Sequence, residues 1–224
     1  MIKFSFQSLL VVLTFSLGTN TNFAQDILVN SLKVNASDKS KESFKFTDVI
    51  NLANTSVKNQ GSSGTCWSYS GNSFLESEMI RIGKQPVELS QIFSARNAYV
   101  EKGKNYVRMH GAVTLGDGGS LHDVTNMLKK YGAVPQEVYT GLNYGTTKNK
   151  FGEMAALTEG LLVAAVKNPN GELTPNWIKA YEAVIDSYLG QVPQNFNFKG
   201  KNYTPQTFAK EVVGLNPDEY VELS

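Results

Sequence analysis

Residues 49–224 predict a mainly helical α+β domain, and three observations carry that expectation. The first is a stripe behind the chain's one cysteine: Gly71, Phe74, Leu75, Met79 and Ile82 follow Cys66 at spacings that place them along one helix. The second is a set of helix-start signals, namely Ser90, Ser120 with Asp123 three residues on, and the pairs Thr174-Pro175 and Thr204-Pro205. The third is composition: 224 residues, 41% hydrophobic and 18% charged, suffice for one domain with a real core or two small ones.

In chain order, residues 1–24 read as a secretory signal peptide. Lys3 supplies the charge, residues 9–17 the apolar centre, and Asn22-Phe23-Ala24 a cleavage site before Gln25. The apolar run is too short to span a bilayer, so the expectation is export to the periplasm or beyond, with no membrane attachment after cleavage. Removing this segment leaves 20 basic against 20 acidic side chains, and that balance speaks against a nucleic-acid partner. Residues 25–48 are polar and read as an extended lead-in.

The next run is Gln60-Gly61-Ser62-Ser63-Gly64-Thr65-Cys66-Trp67-Ser68-Tyr69-Ser70. Its glycines and small hydroxyl residues suit a tight turn that sets Cys66 in the first turn of a helix. There the macrodipole and unpaired backbone N–H groups favour a thiolate. An unpaired cysteine in an exported chain is free, intermolecular or catalytic, although cysteines in general are often buried and inert.

Gly83 and Pro86 break this helix, and Ser90 caps a second one through Ile92, Phe93, Ala95, Tyr99 and Val100. Gly116-Asp117-Gly118-Gly119-Ser120 reads as a loop and lacks the Gly-Lys-Ser/Thr ending of a phosphate loop. The third helix starts at Ser120 with Leu121, Val124 and Leu128 on one face, Lys129 and Lys130 in its last turn and Gly132 past its end. Further helices are expected over 154–166, from Pro175 to Leu189 and from Pro205 to Val213, with a strand beginning at 220–223.

These residues carry a resemblance. Gln60, Cys66 six positions on, Gly64 and Trp67 resemble the nucleophile segment of papain-like cysteine peptidases. Glu88-Leu89-Ser90-Gln91, Gly118-Gly119 and Tyr131-Gly132-Ala133-Val134-Pro135 with Tyr139 follow in that family's order. Most relatives carry a bridged cysteine pair where this chain has Ser63 and Gly116, a double loss that resembles the bleomycin hydrolase and aminopeptidase C branch.

The resemblance implies an α+β papain-like fold. The helical left domain and a helical insertion would lie within these residues, and the strand-rich right domain would be largely missing. It further implies peptide hydrolysis, aminopeptidase action included, with Cys66 as nucleophile and Gln60 as oxyanion donor. Gly64, Trp67, Gly118 and Gly119 would line the site for a peptide substrate, and no metal or cofactor is implied.

The papain-type base lies about 130 to 150 residues beyond the cysteine, and residues 196–216 hold no histidine. The two histidines present, His110 and His122, come too early. The expectation is therefore a truncated peptidase with little or no hydrolysis of its own, or alternatively a catalytically dead papain-like protein that binds peptides. His122 as the base, and a metal cluster of His110, Asp117, His122 and Asp123, are the remaining alternatives.

Overall fold

The computed structural model describes residues 47–223, and the chain divides into two units, Met1–Val49 and Ile50–Ser224, the second of which holds every element below. The signal-peptide reading of residues 1–24 and nearly all of the lead-in lie outside the described residues. Five α-helices come first: α1 (Cys66–Arg81), α2 (Gln91–Arg108), α3 (Leu121–Tyr131), α4 (Gly152–Val166) and α5 (Asn176–Leu189). A hairpin of β1 (Phe196–Phe198) and β2 (Lys201–Tyr203) follows, then α6 (Pro205–Phe208), which continues into a π-helical turn Ala209–Val213.

α2 is the central element and packs against α1, α3, α4 and α5. Every residue from Gln91 to Val100 is buried. Such a helix must pair its polar members, because an unpaired charge out of water is costly. Arg96 accordingly reaches Asp186 of α5 at 2.8 Å, and Asn97 donates to the carbonyl of Phe93 at 3.0 Å. The cap anticipated at Ser90 is present. Its hydroxyl accepts from the N–H of Phe93 at 3.1 Å and donates to the carbonyl of Tyr139 at 2.6 Å, so one side chain both starts α2 and ties down the segment after α3.

Two glycines set how closely the helices approach. A Cβ on Gly71 would sit 2.5 Å from the Val124 side chain of α3, and one on Gly103 would sit 2.6 Å from the Tyr181 ring of α5. At Ser120 the backbone N–H donates to the Asp123 carboxylate at 3.0 Å, the reciprocal half of the capping box that starts α3.

Glu101 of α2 joins this helix to α3. It accepts from Lys104 at 2.9 Å and from Lys130 and Tyr131 at 2.5 Å each. Burial on its own would raise this carboxyl, but the three donors outweigh burial and lower it to about 2. A carboxylate depressed on folding stabilises above its unfolded value and loses that contribution as pH falls through the folded one. The stability advantage of the native protein over Glu101→Gln is therefore expected to be constant above pH about 5 and to vanish between about 4.5 and 2, read from urea midpoints across that range.

Four expectations are corrected. The α1 stripe is only partly the buried face: Phe74 and Ile82 are exposed, while Ser68, Asn72 and Glu76 join Gly71, Leu75 and Met79 inside. Polar groups occupy this face because neighbouring segments supply partners, as when Asn72 donates to the Ser94 hydroxyl of α2 at 3.2 Å. The region beyond Gly145 is not wholly helical, since Lys199 and Gly200, both at positive φ, form the two-residue turn of the β1–β2 hairpin. Phe196, Phe198 and Tyr203 from that hairpin close edge-on over Phe208, with ring centroids 5.3–5.7 Å from it. Beyond Phe208 the last expected helix leaves α geometry, and Ala209–Val213 form a π-turn that ends at Gly214. Residues 220–223 form no strand; Tyr220 instead packs edge-on against Phe74 at 5.6 Å, and its hydroxyl donates to Glu78 at 3.1 Å.

Candidate active site

Cys66 is the first residue of α1, and its side chain is exposed. The N–H groups of Ser68 and Tyr69 both turn back to the carbonyl of Thr65 at 2.9 and 3.1 Å, so the N–H of Cys66 belongs to the helix-start donors without an intrahelical acceptor. Behind it Thr65 is fully buried, and a hydroxyl relay fixes the turn. Ser63 donates to the Gln60 carbonyl at 2.8 Å, which leaves the 2.6 Å contact between the Ser63 and Thr65 hydroxyls to be donated by Thr65. The relay ties the backbone of Gln60 to the residue before the thiol. Gln60 itself is half-buried, and its side-chain amide has no hydrogen-bond partner among the described residues.

One wall of the site is the loop at residues 116–119. The Asp117 carboxylate accepts the N–H of Gly64 at 3.2 Å, and the Asp117 carbonyl accepts the indole N–H of Trp67 at 2.7 Å. Lys102 donates to the carbonyls of Gly116 and Gly118 and lies 5.4 Å from the Trp67 ring centroid, so a cation clamps the loop from the α2 side. The fit leaves no room for side chains. A Cβ on Gly64 would stand 2.4 Å from Asp117 Cβ, and one on Gly119 would stand 2.7 Å from the Trp67 ring. Gly118 faces open space, where a ligand backbone can approach.

A second segment bonded to the same turn is the one entering α4. Ser62 donates to the Asn149 carbonyl at 2.8 Å, Phe151 donates back to the Ser62 carbonyl at 3.2 Å, and Asn149 Nδ2 donates to the Tyr69 hydroxyl at 2.9 Å. The structure thus brings Gly64 and Trp67, which flank Cys66, against the loop that holds Gly118 and Gly119, while Gln60 is tied to the same turn through its backbone carbonyl. Lys102, which the sequence did not single out, and Asp117, read there only as a loop residue and metal alternative, hold this loop to the Cys66 turn. Asp117 had a signal, as the one charged residue inside a glycine-rich loop; Lys102 had none.

Neither histidine hydrogen-bonds the Cys66 sulfur among the described residues. His110 is exposed at a positive-φ position after α2, and His122 Nδ1 lies 2.5 Å from Glu222. Asp117 faces Gly64 and Trp67 while His122 faces Glu222, so the four residues weighed as a metal cluster are not brought together. The hydrogen bond that the protonated imidazole donates to Glu222 raises His122 above its ordinary value. By NMR the His122 ring is expected to titrate above its ordinary value, and Glu222→Gln should lower that midpoint. The tail contact is held below pH about 6.5 and released as pH rises through the raised value.

Comparison with known proteins identifies the family and a likeness of fold. Residues 14–165 match the profile of the peptidase C1-like family. Aminopeptidase C of Lactobacillus delbrueckii subsp. lactis is 26% identical over 231 residues, covering 85% of this chain and 51% of its own length. Mitochondrial cysteine proteinase 1 of Saccharomyces cerevisiae is 28% identical over 144 residues, 57% of this chain and 29% of its own. The solved structure of PepW from Lactobacillus rhamnosis superposes with a TM-score of 0.54 at 22% identity, covering 88% of this chain and 54% of that one, a likeness of fold. The chain spans about half the length of the first of these relatives and of the solved structure. The landmarks that carry the papain-like resemblance, from Gln60 to Tyr139, lie inside the matched residues. The chain belongs to the peptidase C1-like family.

Proposed function

We propose that this chain is the nucleophile-bearing part of a cysteine peptidase. The observation that carries the proposal is the exposed Cys66 at the start of α1, set between two walls that are hydrogen-bonded to its own turn. In this reading the Cys66 sulfur attacks a peptide carbonyl, and the developing oxyanion takes hydrogen bonds from the Cys66 N–H and the Gln60 side chain. The peptide backbone lies along Gly118 and Gly119, where the absence of Cβ atoms permits strand-like pairing. The C–N bond then breaks, and the amine leaves with a proton that a base must deliver.

The relatives' names suggest aminopeptidase action as the finer form. Neither histidine is placed to serve as base, so hydrolysis by residues 1–224 alone is expected to fall about 100-fold to 10,000-fold below that of an enzyme with its base in place. That same placement favours a second reading, in which these residues bind peptides without cleaving them.

Labelling with an epoxysuccinyl peptide and hydrolysis of aminoacyl and peptidyl amides separate the two. Labelling faster than that of glutathione supports the peptidase; peptide binding with labelling no faster than glutathione's supports the second reading and overturns the first. Export belongs to the proposal on the strength of residues 1–24, and N-terminal sequencing of secreted protein should begin at Gln25, whereas retention of Met1 would overturn it.

A further inference from the structure

Lys102 of α2 is half-buried, yet among the described residues its ammonium pairs with no carboxylate. It donates instead to the main-chain carbonyls of Gly116, at 3.3 Å, and Gly118. Burial lowers its ammonium, and the more distant Asp117 and Asp123 carboxylates offset only part of that. A cation drawn partly out of water onto carbonyls gains little stability, and what it fixes is the position of two loop oxygens. The loop has little else beneath it on this side. A recess of about 60 Å³ separates Leu115, Gly116 and Asp117 from Tyr99, Tyr181 and Ile185, and the buried Tyr99 hydroxyl ends there without a partner. Packing does not set the height of a loop over unfilled space. Among the described residues, Lys102 supplies the only hydrogen bonds from α2 to residues 116–119.

We infer that Lys102 is a positioning residue for peptide capture: through the Gly118 carbonyl it both fixes and polarises the peptide group that joins Gly118 to Gly119. The N–H at the other end of that group belongs to Gly119 and has no acceptor among the described residues. A hydrogen bond from a cation to the C=O of an amide makes the N–H of the same amide a stronger donor, because chains of hydrogen bonds polarise one another. The Gly119 N–H is thus held in place, strengthened and left free for a ligand carbonyl. Its neighbours keep it there: the Trp67 ring and the Asp123 carboxylate stand where a Gly119 Cβ would be, at 2.7 and 2.8 Å, and the Trp67 indole is itself tied to the Asp117 carbonyl at 2.7 Å. This role rests on the reading in which a peptide backbone lies along Gly118 and Gly119, and it assigns to one lysine of α2 the strength of that pairing. Lys102 touches neither the peptide nor Cys66 in this account and acts only through the loop.

The test is binding of N-acetyl-leucyl-leucinamide to the full chain, followed by NMR at the Gly119 amide and repeated in Lys102→Met, Lys102→Gln and Lys102→Arg. In the native chain the Gly119 amide signal is expected to move as the peptide is added. Lys102→Met should weaken binding about tenfold and shift the Gly119 amide proton of the free protein upfield. Lys102→Gln, which keeps a donor without the charge, should fall between, and Lys102→Arg should stay within about threefold of the native affinity. A Gly119 signal that the peptide does not move, native affinity in Lys102→Met, or equal losses in the arginine and methionine variants would overturn the assignment. So would a parallel loss of Cys66 alkylation by iodoacetamide in both neutral variants, which would give the lysine a general structural role. Epoxysuccinyl labelling in the same samples reports on the peptidase reading separately: labelling no faster than glutathione's, with lysine-dependent peptide binding intact, removes that reading and leaves the role of Lys102 in place.

Discussion

Cys66→Ala is expected to leave no site for an epoxysuccinyl peptide and to take any peptide hydrolysis to background, with no change in melting temperature. The thiol is the only one in the chain and is exposed at the start of α1, where it supports no packing. Removing a nucleophile that acts as a unit with other groups has cost on the order of a million-fold in turnover in a well-studied protease, far more than any single supporting residue. Gln60→Ala should act differently, lowering turnover about 100-fold to 1,000-fold through loss of one oxyanion donor while leaving the thiol available for labelling. Hydrolysis that persists in Cys66→Ala would refute the nucleophile assignment. Equal turnover in Gln60→Ala would refute the donor role alone.

Glu76→Ala is expected to be the most destabilising single substitution proposed, by about 3–5 kcal/mol in urea denaturation. Glu76 is fully buried on α1. It accepts the backbone N–H of Leu89 at 2.7 Å and the Thr55 hydroxyl, and it pairs with Lys58 at 3.2 Å. Alanine would leave the Leu89 N–H buried without a partner and Lys58 with only the more distant Glu88 carboxylate at 3.8 Å, and both losses add to the cost of the cavity. The pairing also ties residues 55–58, which lead to Gln60, to α1, so the variant should loosen the approach to the site as well as the core. Thr55→Val removes one donor only and is expected to cost about 1 kcal/mol. A Glu76→Ala midpoint unchanged from the native protein would show that the buried carboxylate contributes nothing net.

Much of the helical layout was legible because caps and stripes are local. Ser90 caps α2 and Ser120 with Asp123 starts α3 where their side chains predicted, since a hydroxyl or carboxylate reaches N–H groups only two or three residues away. The hairpin was missed because Phe196, Phe198 and Tyr203 are ordered by Phe208, and the Lys199-Gly200 turn gains its meaning only once both strands close on that ring. The α1 stripe misled at Phe74 and at Glu76 for a related reason. Hydrophobicity marks which face tends inward, but partners elsewhere in the chain decide whether a carboxylate can go in and an aromatic ring stay near the surface.

The sequence by itself pointed to Cys66 as the candidate nucleophile, set it at the start of a helix, and supplied the order of landmarks that carries the family resemblance. Tertiary structure alone decided what surrounds the thiol. Asp117 meets Gly64 and Trp67 across about 50 residues of chain, and Asn149 meets Tyr69 across 80. Hydrogen bonds of this kind depend on distance in space, and no spacing along the chain encodes them until the helices have packed.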